Sequence, residues 1–324
     1  MSIHLKQRAV LRLNLAFGAM IAAAALWGSG TTLGKYALSY LRPFSLVFFE
    51  LCASCSVLWL LVLCSSERSR LNRHTVRHAW AGILDPSLTY LFFALGLRLT
   101  SASSATLIMA GEPVIVIGLA WLLLRERVPP HFQPIVAAAT IGTLLVTLSG
   151  GDEGTPTLLG DVLILLGTFS TALYTIASRA SARQMPPLLL AMLQQTCGLL
   201  FTAALMPIEW LSIGLPPLAD VPLHIWLLVA ATGVTQGALA LWLYLRALQV
   251  IPATHAALLL TLMPIFGVGS AALLLGEQMT WWQVAGGGLI LGALLWLRAK
   301  QAALLESPES LESQESLSAP VSTS

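Results

Sequence analysis

Long apolar segments alternate with short polar connections along most of the chain. The segments that we predict to span a membrane are residues 13–33, 43–64, 79–97, 101–124, 131–149, 158–178, 187–207, 223–245, 252–275 and 281–297. Each approaches or exceeds the roughly 20 residues that a helix needs to cross about 30 Å of hydrocarbon. The connections leave no room for a separate soluble domain. This pattern predicts an all-α integral membrane protein with ten transmembrane helices.

The predicted segments form two matching sets of five. Two registers align charged residues or prolines of the two sets at equal spacing: Pro113 with Pro264, Glu126 with Glu277, Lys35 with Arg179, and Pro43 with Pro187. Because five is odd, the second set must cross the bilayer in the direction opposite to the first. Two inverted-topology repeats of this kind form the architecture of many secondary transporters. The repeat therefore predicts a protein that moves a solute.

The repeat also divides the chain. We predict a cytoplasmic N-terminus over residues 1–12, a first repeat over 13–149, an outer connecting loop over 150–157, a second repeat over 158–298, and a cytoplasmic tail over 299–324. From Glu306 onward the tail is rich in Ser and Glu and has no apolar periodicity. This composition is typical of disordered segments, because it offers too little apolar surface for a packed core.

Composition and charge place the protein in a membrane with a defined orientation. Apolar residues make up 56% of the chain and charged residues only 10%. Of the 17 Lys and Arg residues, only three fall on the side opposite a cytoplasmic N-terminus: Lys35, Arg42 and Arg98. The positive-inside rule therefore places both termini in the cytoplasm. We predict a multi-pass protein of the inner (plasma) membrane.

Three acidic residues lie inside predicted spans of the first repeat, namely Glu50, Asp85 and Glu112. A charge that faces hydrocarbon at this depth costs at least about 2.5 kcal/mol, so each acid should face the bundle interior or water, or be protonated. Their counterparts in the second repeat are uncharged: Gln194, Gln236 and Met263. The two repeats thus share the spacing of their matched residues, but only the first carries acids at these three positions.

This asymmetry predicts an acidic cavity that attracts a cationic or amino-bearing solute, or that takes up and releases a proton in each cycle. Glu112 is the first candidate, because it lies about 16 Å along its helix from Ser101, near the middle of the membrane, and beside a helix-breaking proline. The alternative is that the acids only accept hydrogen bonds from hydroxyls such as those of Ser54, Thr89 or Thr106, and so hold helices together.

Pro113 and Pro264 predict a helix bend at the same position of each repeat. Proline removes one backbone donor and clashes with the carbonyl four residues earlier, which frees backbone groups inside the membrane. The bends are either hinges for alternating access or static packing kinks. Further candidates for lining the solute path are polar or aromatic residues inside spans: Gln194, Gln195, Trp27, Tyr174, Trp242 and Tyr244. Most membrane aromatics instead pack against lipid or lie at the interface.

Together, these features resemble a known family. The first span carries Trp27-Gly28-Ser29, and a segment with a mid-span proline and a terminal glutamate occurs twice. With the spans and their repeat, this pattern resembles the EamA family of the drug/metabolite transporter superfamily over roughly residues 13–298. The resemblance implies a ten-helix bundle with a cavity between helices 1–4 and 6–9, and export of amino acids, metabolites or drugs. Many relatives carry Arg in the middle of helix 2, where this chain has Glu50 as its only ionisable residue.

Other classes of protein fit the sequence less well. The Gly28 to Lys35 segment resembles a nucleotide-binding loop, but that motif requires glycine where this chain has Ser29 and Ser or Thr where it has Tyr36. We expect no cofactor, no metal, no ATPase partner and no nucleic acid. An intramembrane hydrolase could use Asp85 and Glu112, but the Gly-x-Gly-Asp type of aspartyl signature is missing. A membrane scaffold or sensor remains the main alternative to an exporter of small metabolites, whose candidate coupling ion is the proton.

Overall fold

A computed structural model describes residues 2–124, 157–214, 218–247 and 262–305, together with residues 134, 137, 138, 141, 142, 145 and 260. This part of the chain is helical and contains no strand. Within it, six helical stretches are long and apolar enough to cross a membrane: Asn14–Ala37, Pro43–Leu63, Arg77–Leu99, Leu158–Ser178, Pro187–Ser212 and Leu223–Ala247. The predicted all-α membrane class is therefore confirmed, and these stretches match six of the predicted spans.

Of the four remaining predicted spans, 281–297 lies within one helix, Trp281–Leu305, and the other three differ from a continuous helix or are described only in part. Two shorter helices replace the predicted continuous span 101–124. Only the last part of the predicted span 252–275 is described, as one apolar helix that begins at Met263. Most of the predicted span 131–149, the predicted loop up to residue 156, and the predicted tail from residue 306 lie outside the described residues.

The first half of the chain forms α1 (Ser2–Ala37), α2 (Pro43–Leu63), α3 (Arg73–Val76), α4 (Thr89–Leu99), α5 (Ala102–Met109) and α6 (Glu112–Leu124). The second half forms α7 (Leu158–Gln184), α8 (Pro187–Ile213), α9 (Leu223–Thr232), α10 (Leu241–Ala247), α11 (Met263–Leu275) and α12 (Trp281–Leu305). Tighter 3₁₀ turns lie at Ser66–Arg70, Arg77–Ile83 and Leu218–Asp220, and wider π turns lie at Leu84–Leu88 and Gly233–Ala240.

The outermost helices are longer than the spans predicted for them. α1 begins at Ser2, inside the predicted N-terminal segment 1–12, and α12 continues to Leu305, beyond residue 298. Adding residues to an existing helix is far easier than starting one, so a helix readily continues past the apolar segment that formed it.

Local sequence explains where several helices begin and end. Pro43 and Pro187 open α2 and α8 in the first turn, where a missing N–H costs no hydrogen bond. The side chains of Ser101 and Thr157 cap α5 and α7 by accepting backbone N–H groups of the first turn. α11 ends at Gly276, whose φ of 66° is the left-handed conformation that favours glycine.

The second helix of each half packs against the other in antiparallel orientation. At one end, the Glu209 carboxylate near the end of α8 accepts hydrogen bonds from Phe44 N and Ser45 Oγ at the start of α2, both at 3.0 Å. At the other end, Trp59 Nε1 in α2 donates to Thr196 Oγ1 in α8 at 3.0 Å. α2 and α8 therefore run in opposite directions.

Packing between the two halves is reciprocal. α1 packs on α11, while α7 packs on α5 and α6. α2 packs on the π turn Gly233–Ala240, while α8 packs on the turns over residues 77–88. The contact of α1 with α11 is close at Gly28, where a Cβ would lie 2.5 Å from the carbonyl oxygen of Met263. Gly28 thus serves the close packing of these two helices.

Candidate functional site

Asp85 lies at a break in the helical stretch that precedes α4. Its backbone is extended, with φ −138° and ψ 120°. The Leu84 carbonyl beside the break accepts hydrogen bonds from Thr89 Oγ1 and Ser170 Oγ, both at 2.9 Å. Thr171 Oγ1 on α7 donates to Asp85 Oδ2 at 3.3 Å. The break is therefore satisfied inside the bundle, and it places the Asp85 carboxyl against α7.

Glu112 lies at a second break, between α5 and α6. Thr175 Oγ1 on α7 donates to Glu112 Oε1 at 3.3 Å. Thr171 and Thr175 are one turn apart on α7, so their hydroxyls are separated by about 6 Å along the helix. The carboxyls of Asp85 and Glu112 are close enough to interact electrostatically. One face of α7 thus brings together acids from two interrupted helices.

A helix is interrupted just before Pro113, where the sequence predicts a bend. α5 ends at Met109 and α6 begins at Glu112, which puts Pro113 in the first turn of α6. In the second half, Pro264 lies in the first turn of α11, while residues 251–259 lie outside the described residues. Both prolines therefore start a helix of 13 residues at equivalent positions. Their role as hinges stays a prediction.

Glu50 lies where α2 meets the second half most closely. Thr232 Oγ1 donates to Glu50 Oε1 at 2.7 Å. A Cβ at the next residue, Gly233, would lie 2.3 Å from the Glu50 carbonyl oxygen, and a Cβ at Gly237 would lie 2.7 Å from Ser54 Oγ. Two glycines one turn apart therefore let the backbone of the π turn approach α2, and this approach brings Thr232 to the acid.

The two glutamines of α8 are buried beside these acids. Tyr174 Oη donates to Gln194 Oε1 at 2.7 Å, and Gln194 Nε2 donates to Ser178 Oγ at 3.2 Å. Gln195 Nε2 donates to the Gly237 carbonyl oxygen at 3.0 Å. Gln195 Oε1, in contrast, is buried without a hydrogen-bond partner. Gln194 is therefore satisfied by the protein, whereas Gln195 keeps a free acceptor.

Two of the predicted aromatic candidates join the acidic region from the other side. Trp27 Nε1 donates to the Gln236 carbonyl oxygen at 3.1 Å. The Trp27 ring packs edge-on against Tyr244, with ring centroids 5.6 Å apart. Tyr244 is within electrostatic range of Glu112 and Asp85. The first helix of the chain thus contributes to the same region as the acids.

Trp242 is placed differently from the other aromatic candidates. The guanidinium of Arg246, one turn along α10, lies over the Trp242 ring at 5.0 Å from its centroid. No described contact joins Trp242 to Glu50, Asp85 or Glu112.

Tyr90 is a member of the site that sequence reasoning missed. It lies within electrostatic range of Asp85 and Glu50, and close to the Gln195 amide. A signal was present in the sequence, because tyrosines of membrane proteins concentrate at the interfaces, whereas Tyr90 falls in the interior of the span predicted over residues 79–97.

The site residues are turned inward and are still partly accessible. Glu50, Asp85 and Glu112 all accept from hydroxyls of other helices. Of the hydroxyls predicted as alternative partners, that of Thr89 also interacts with Asp85. Thr106 donates within its own helix, and Ser54 Oγ is buried without a partner. The side chains of the site that remain half-buried are Glu50, Asp85, Tyr90, Glu112, Tyr174 and Tyr244. The described residues therefore do not enclose them fully.

These three acids carry no built-in counter-charge. In the part of the chain that the structure describes, no Lys or Arg contributes to the electrostatic environment of Glu50, Asp85 or Glu112. The same residues contain no cluster of three or more His, Cys, Asp or Glu side chains that could hold a metal ion. Among the described residues, these acids therefore have no basic partner.

Comparison with known proteins agrees with the two-part organisation. A sequence profile described as the EamA-like transporter family matches residues 14–148 and again residues 158–299. The uncharacterized transporter YyaM of Bacillus subtilis (strain 168) is 23% identical over 273 residues, which cover 83% of this chain and 88% of YyaM. An uncharacterized transporter of Archaeoglobus fulgidus is also 23% identical, over 82% of this chain and 92% of its own length.

A solved crystal structure supports the fold. It superposes with a TM-score of 0.62 at 20% sequence identity, and the match covers 90% of this chain and 98% of that chain.

Proposed function

This chain belongs to the EamA-like transporter family, and from that premise we propose that it is a secondary active exporter of small amino-bearing or cationic metabolites, including amino acids. The chain is a multi-pass membrane protein. The positive-inside distribution of Lys and Arg supports an inner-membrane location with both termini in the cytoplasm. The absence of a recognisable nucleotide loop in the sequence supports transport driven by a solute or ion gradient rather than by ATP.

The proposed transporter architecture is a pair of inverted five-helix repeats, over residues 13–149 and 158–298. Three observations support it: the family profile matches twice, α2 and α8 are antiparallel, and the packing between the halves is reciprocal. Alternating access then consists of one half rocking against the other around a fixed central site. The interruptions at Pro113 and Pro264 are the proposed hinges.

The observation that carries the proposed substrate class is the group of three acids without a counter-charge. Glu50, Asp85 and Glu112 converge from different helices on a half-buried aromatic region. A cationic group entering this space gains attraction from the carboxyls and from the faces of aromatic rings. An anionic solute would add to the existing negative charge. The site therefore favours cations.

Two polar atoms near Glu50 have no hydrogen-bond partner, and they indicate which chemical groups the substrate carries. Gln195 Oε1 and Ser54 Oγ are both buried without a hydrogen-bond partner, and both side chains lie against Gly237. A buried polar atom without a partner is unfavourable, so a hydrogen-bonding guest is expected there. Free acceptors suit a guest with N–H groups. A primary ammonium meets this requirement, whereas a quaternary ammonium has no N–H to donate.

Proton coupling follows from the arrangement of Asp85 and Glu112 along α7. Two neighbouring carboxyls repel each other when both are ionised, so the pair is stabilised when it shares a proton or binds a cation. A solute ammonium and a proton then compete for the same negative charge. Such competition supports exchange of a cytoplasmic solute for an outer proton in each cycle.

The test is untargeted metabolite profiling of the medium from cells that overexpress the protein. Glu112→Gln is compared with the wild type at equal membrane abundance. Glu209→Gln is the matched control, because Glu209 caps α2 away from the central acids. We expect one or more amino-bearing compounds to accumulate outside with the wild type and the control, but not with Glu112→Gln. Equal media from all three strains would contradict export and favour the scaffold alternative, and the appearance of peptide fragments would favour a hydrolase.

A further inference from the structure

A second group of charged residues surrounds the turn between α4 and α5, far along the helices from the acids. Lys35, near the end of α1, donates from Nζ to the carbonyl oxygen of Leu97 at 2.6 Å and to that of Thr100. These are carbonyls at the end of α4, which carry the negative end of the helix dipole. The ammonium of α1 therefore binds the end of α4.

Glu277 binds the other side of the same turn. This residue follows α11, and its carboxylate accepts from Ala102 N at 2.9 Å, Ser103 N at 3.0 Å and Ser103 Oγ at 2.9 Å. These N–H groups form the first turn of α5, where free donors and a positive dipole end favour an anion. Glu277 also attracts Lys35 electrostatically. The two charges thus hold the two sides of one turn.

The second half of the chain adds two further links at this turn. Asp161, in the first turn of α7, accepts from Thr100 Oγ1 at 2.5 Å. Gln283 in α12 donates from Nε2 to Ser104 Oγ at 2.6 Å. We name these residues the α4–α5 latch: Lys35, Thr100, Asp161, Glu277 and Gln283. Lys35 bonds within the first half and attracts Glu277 of the second half. The bonds of Asp161, Glu277 and Gln283 link the turn and the start of α5 to the second half.

In any transport cycle in which the two halves separate, the links between the halves must break. The bonds of Lys35, Asp161 and Glu277 are charge-assisted, and such bonds are stronger than bonds between neutral groups. Asp161 and Gln283 are also buried. Separation of the halves at this end requires the bonds of Asp161, Glu277 and Gln283 to break. All of these bonds are formed in this structure.

We propose that Lys35, Asp161 and Glu277 form the gate that closes the outer end of the transport path. This inference rests on the proposed alternating-access function and its topology, in which the turn between α4 and α5 faces outward. The central acids then bind the solute, and the latch decides when the solute is released. These charges act on the backbone of the helix ends and not on the solute.

The test measures access to a residue that lies behind the latch. Ala105 is fully buried and lies one turn further along α5. The four free cysteines Cys52, Cys55, Cys64 and Cys197 are first replaced by alanine, and Ala105→Cys is then added as the reporter. A membrane-impermeant maleimide is applied to intact cells and, in parallel, to inside-out vesicles. The rate of labelling is normalised to the amount of protein in the membrane.

We expect Glu277→Gln and Lys35→Met to raise the labelling rate from the outside at least about tenfold, because each removes a charge-assisted link from the closed state only. Asp161→Asn serves as a third variant if either of these does not reach the membrane. Trp59→Phe is the matched control, because it removes the hydrogen bond from Trp59 to Thr196, which links α2 and α8 at the other end of these helices. Its labelling rate should equal that of the reporter alone.

Unchanged labelling in the latch variants, or equal acceleration by Trp59→Phe, would overturn the gate. Acceleration seen only in inside-out vesicles would overturn its outer placement. The readout needs no substrate, so it is independent of the metabolite experiment. A protein that exports nothing and still shows the expected labelling would contradict the proposed export and leave the gate standing.

Discussion

The carboxylates at the helix ends and the carboxylates in the middle of the bundle are held in different ways. Glu277 accepts two backbone N–H groups and a hydroxyl at the start of α5, and Glu209 accepts a backbone N–H and a hydroxyl at the start of α2. Glu50, Asp85 and Glu112 instead accept from threonine hydroxyls. A carboxylate that accepts backbone N–H groups of a helix end stabilises helix packing. A carboxylate that accepts only from hydroxyls can still bind a solute.

The difference has a simple physical origin. The first turn of a helix has backbone N–H groups without intrahelical partners, and the dipole there is positive, so an acid finds strong donors. Deeper in a span, the helix uses its own N–H groups, and only side-chain hydroxyls remain. Thr171, Thr175 and Thr232 are the hydroxyls that fill this role. An acid at a helix end is therefore expected to be structural, whereas an acid in the middle of the bundle is a candidate for binding.

The comparison predicts that Glu50→Gln causes the largest loss of transport. The amide keeps an acceptor for Thr232 but removes the charge that would pair with an ammonium. Losing one partner of a buried charge pair costs about 2–5 kcal/mol, so the initial export rate at low solute should fall at least about thirtyfold. The assay is export from loaded cells of the compound identified by profiling. Retained export at normal membrane abundance would show that Glu50 only holds helices together.

A smaller effect is expected for Tyr90→Phe, which removes a hydroxyl between Glu50, Asp85 and Gln195. A hydrogen bond contributes about 0.5–1.5 kcal/mol, so KM should rise about threefold to tenfold while the maximal rate changes little. Trp242→Phe is the matched control, because the described contacts of Trp242 lead to Arg246 and not to the acids. Similar kinetics in the two variants would remove Tyr90 from the site.

The smallest effect on transport is expected for Glu209→Gln. This variant weakens the cap on α2, which should lower stability by about 1 kcal/mol, while the export rate per folded molecule stays unchanged. Thermal unfolding of the protein in detergent measures the first quantity, and export normalised to folded protein measures the second. If this variant lost export as completely as Glu50→Gln without any loss of stability, the distinction between the two kinds of carboxylate would be wrong.

Much of the fold follows from local features of the sequence. Six predicted spans coincide with apolar helices of sufficient length, and a helix is interrupted just before Pro113, where the sequence predicts a bend. The three acids were identified as candidates because a charge inside a span is costly wherever it occurs. These predictions succeeded because the length of an apolar run, a proline and a charge each act on their own stretch of chain.

The partners of the acids were not predictable in the same way. Thr106 was a plausible donor, but it bonds a backbone carbonyl of its own helix. Thr89 bonds the Leu84 carbonyl and also interacts with Asp85. The actual donors, among them Thr171 and Thr175, come from helices of the second half. Glu277 illustrates the same point: it emerged from the sequence only as a repeat match, and its partner Ala102 is 175 residues away.

The sequence by itself determined that this is a helical membrane protein of two similar halves, with acids inside one half and helix breaks at equivalent positions. Hydrophobic length and helix-breaking residues act locally, so they can be seen without a structure. Only the tertiary structure decided which carboxylates bind helix ends and which accept only from hydroxyls. That outcome depends on which helix faces meet, because a donor satisfies an acid only at a distance of about 3 Å.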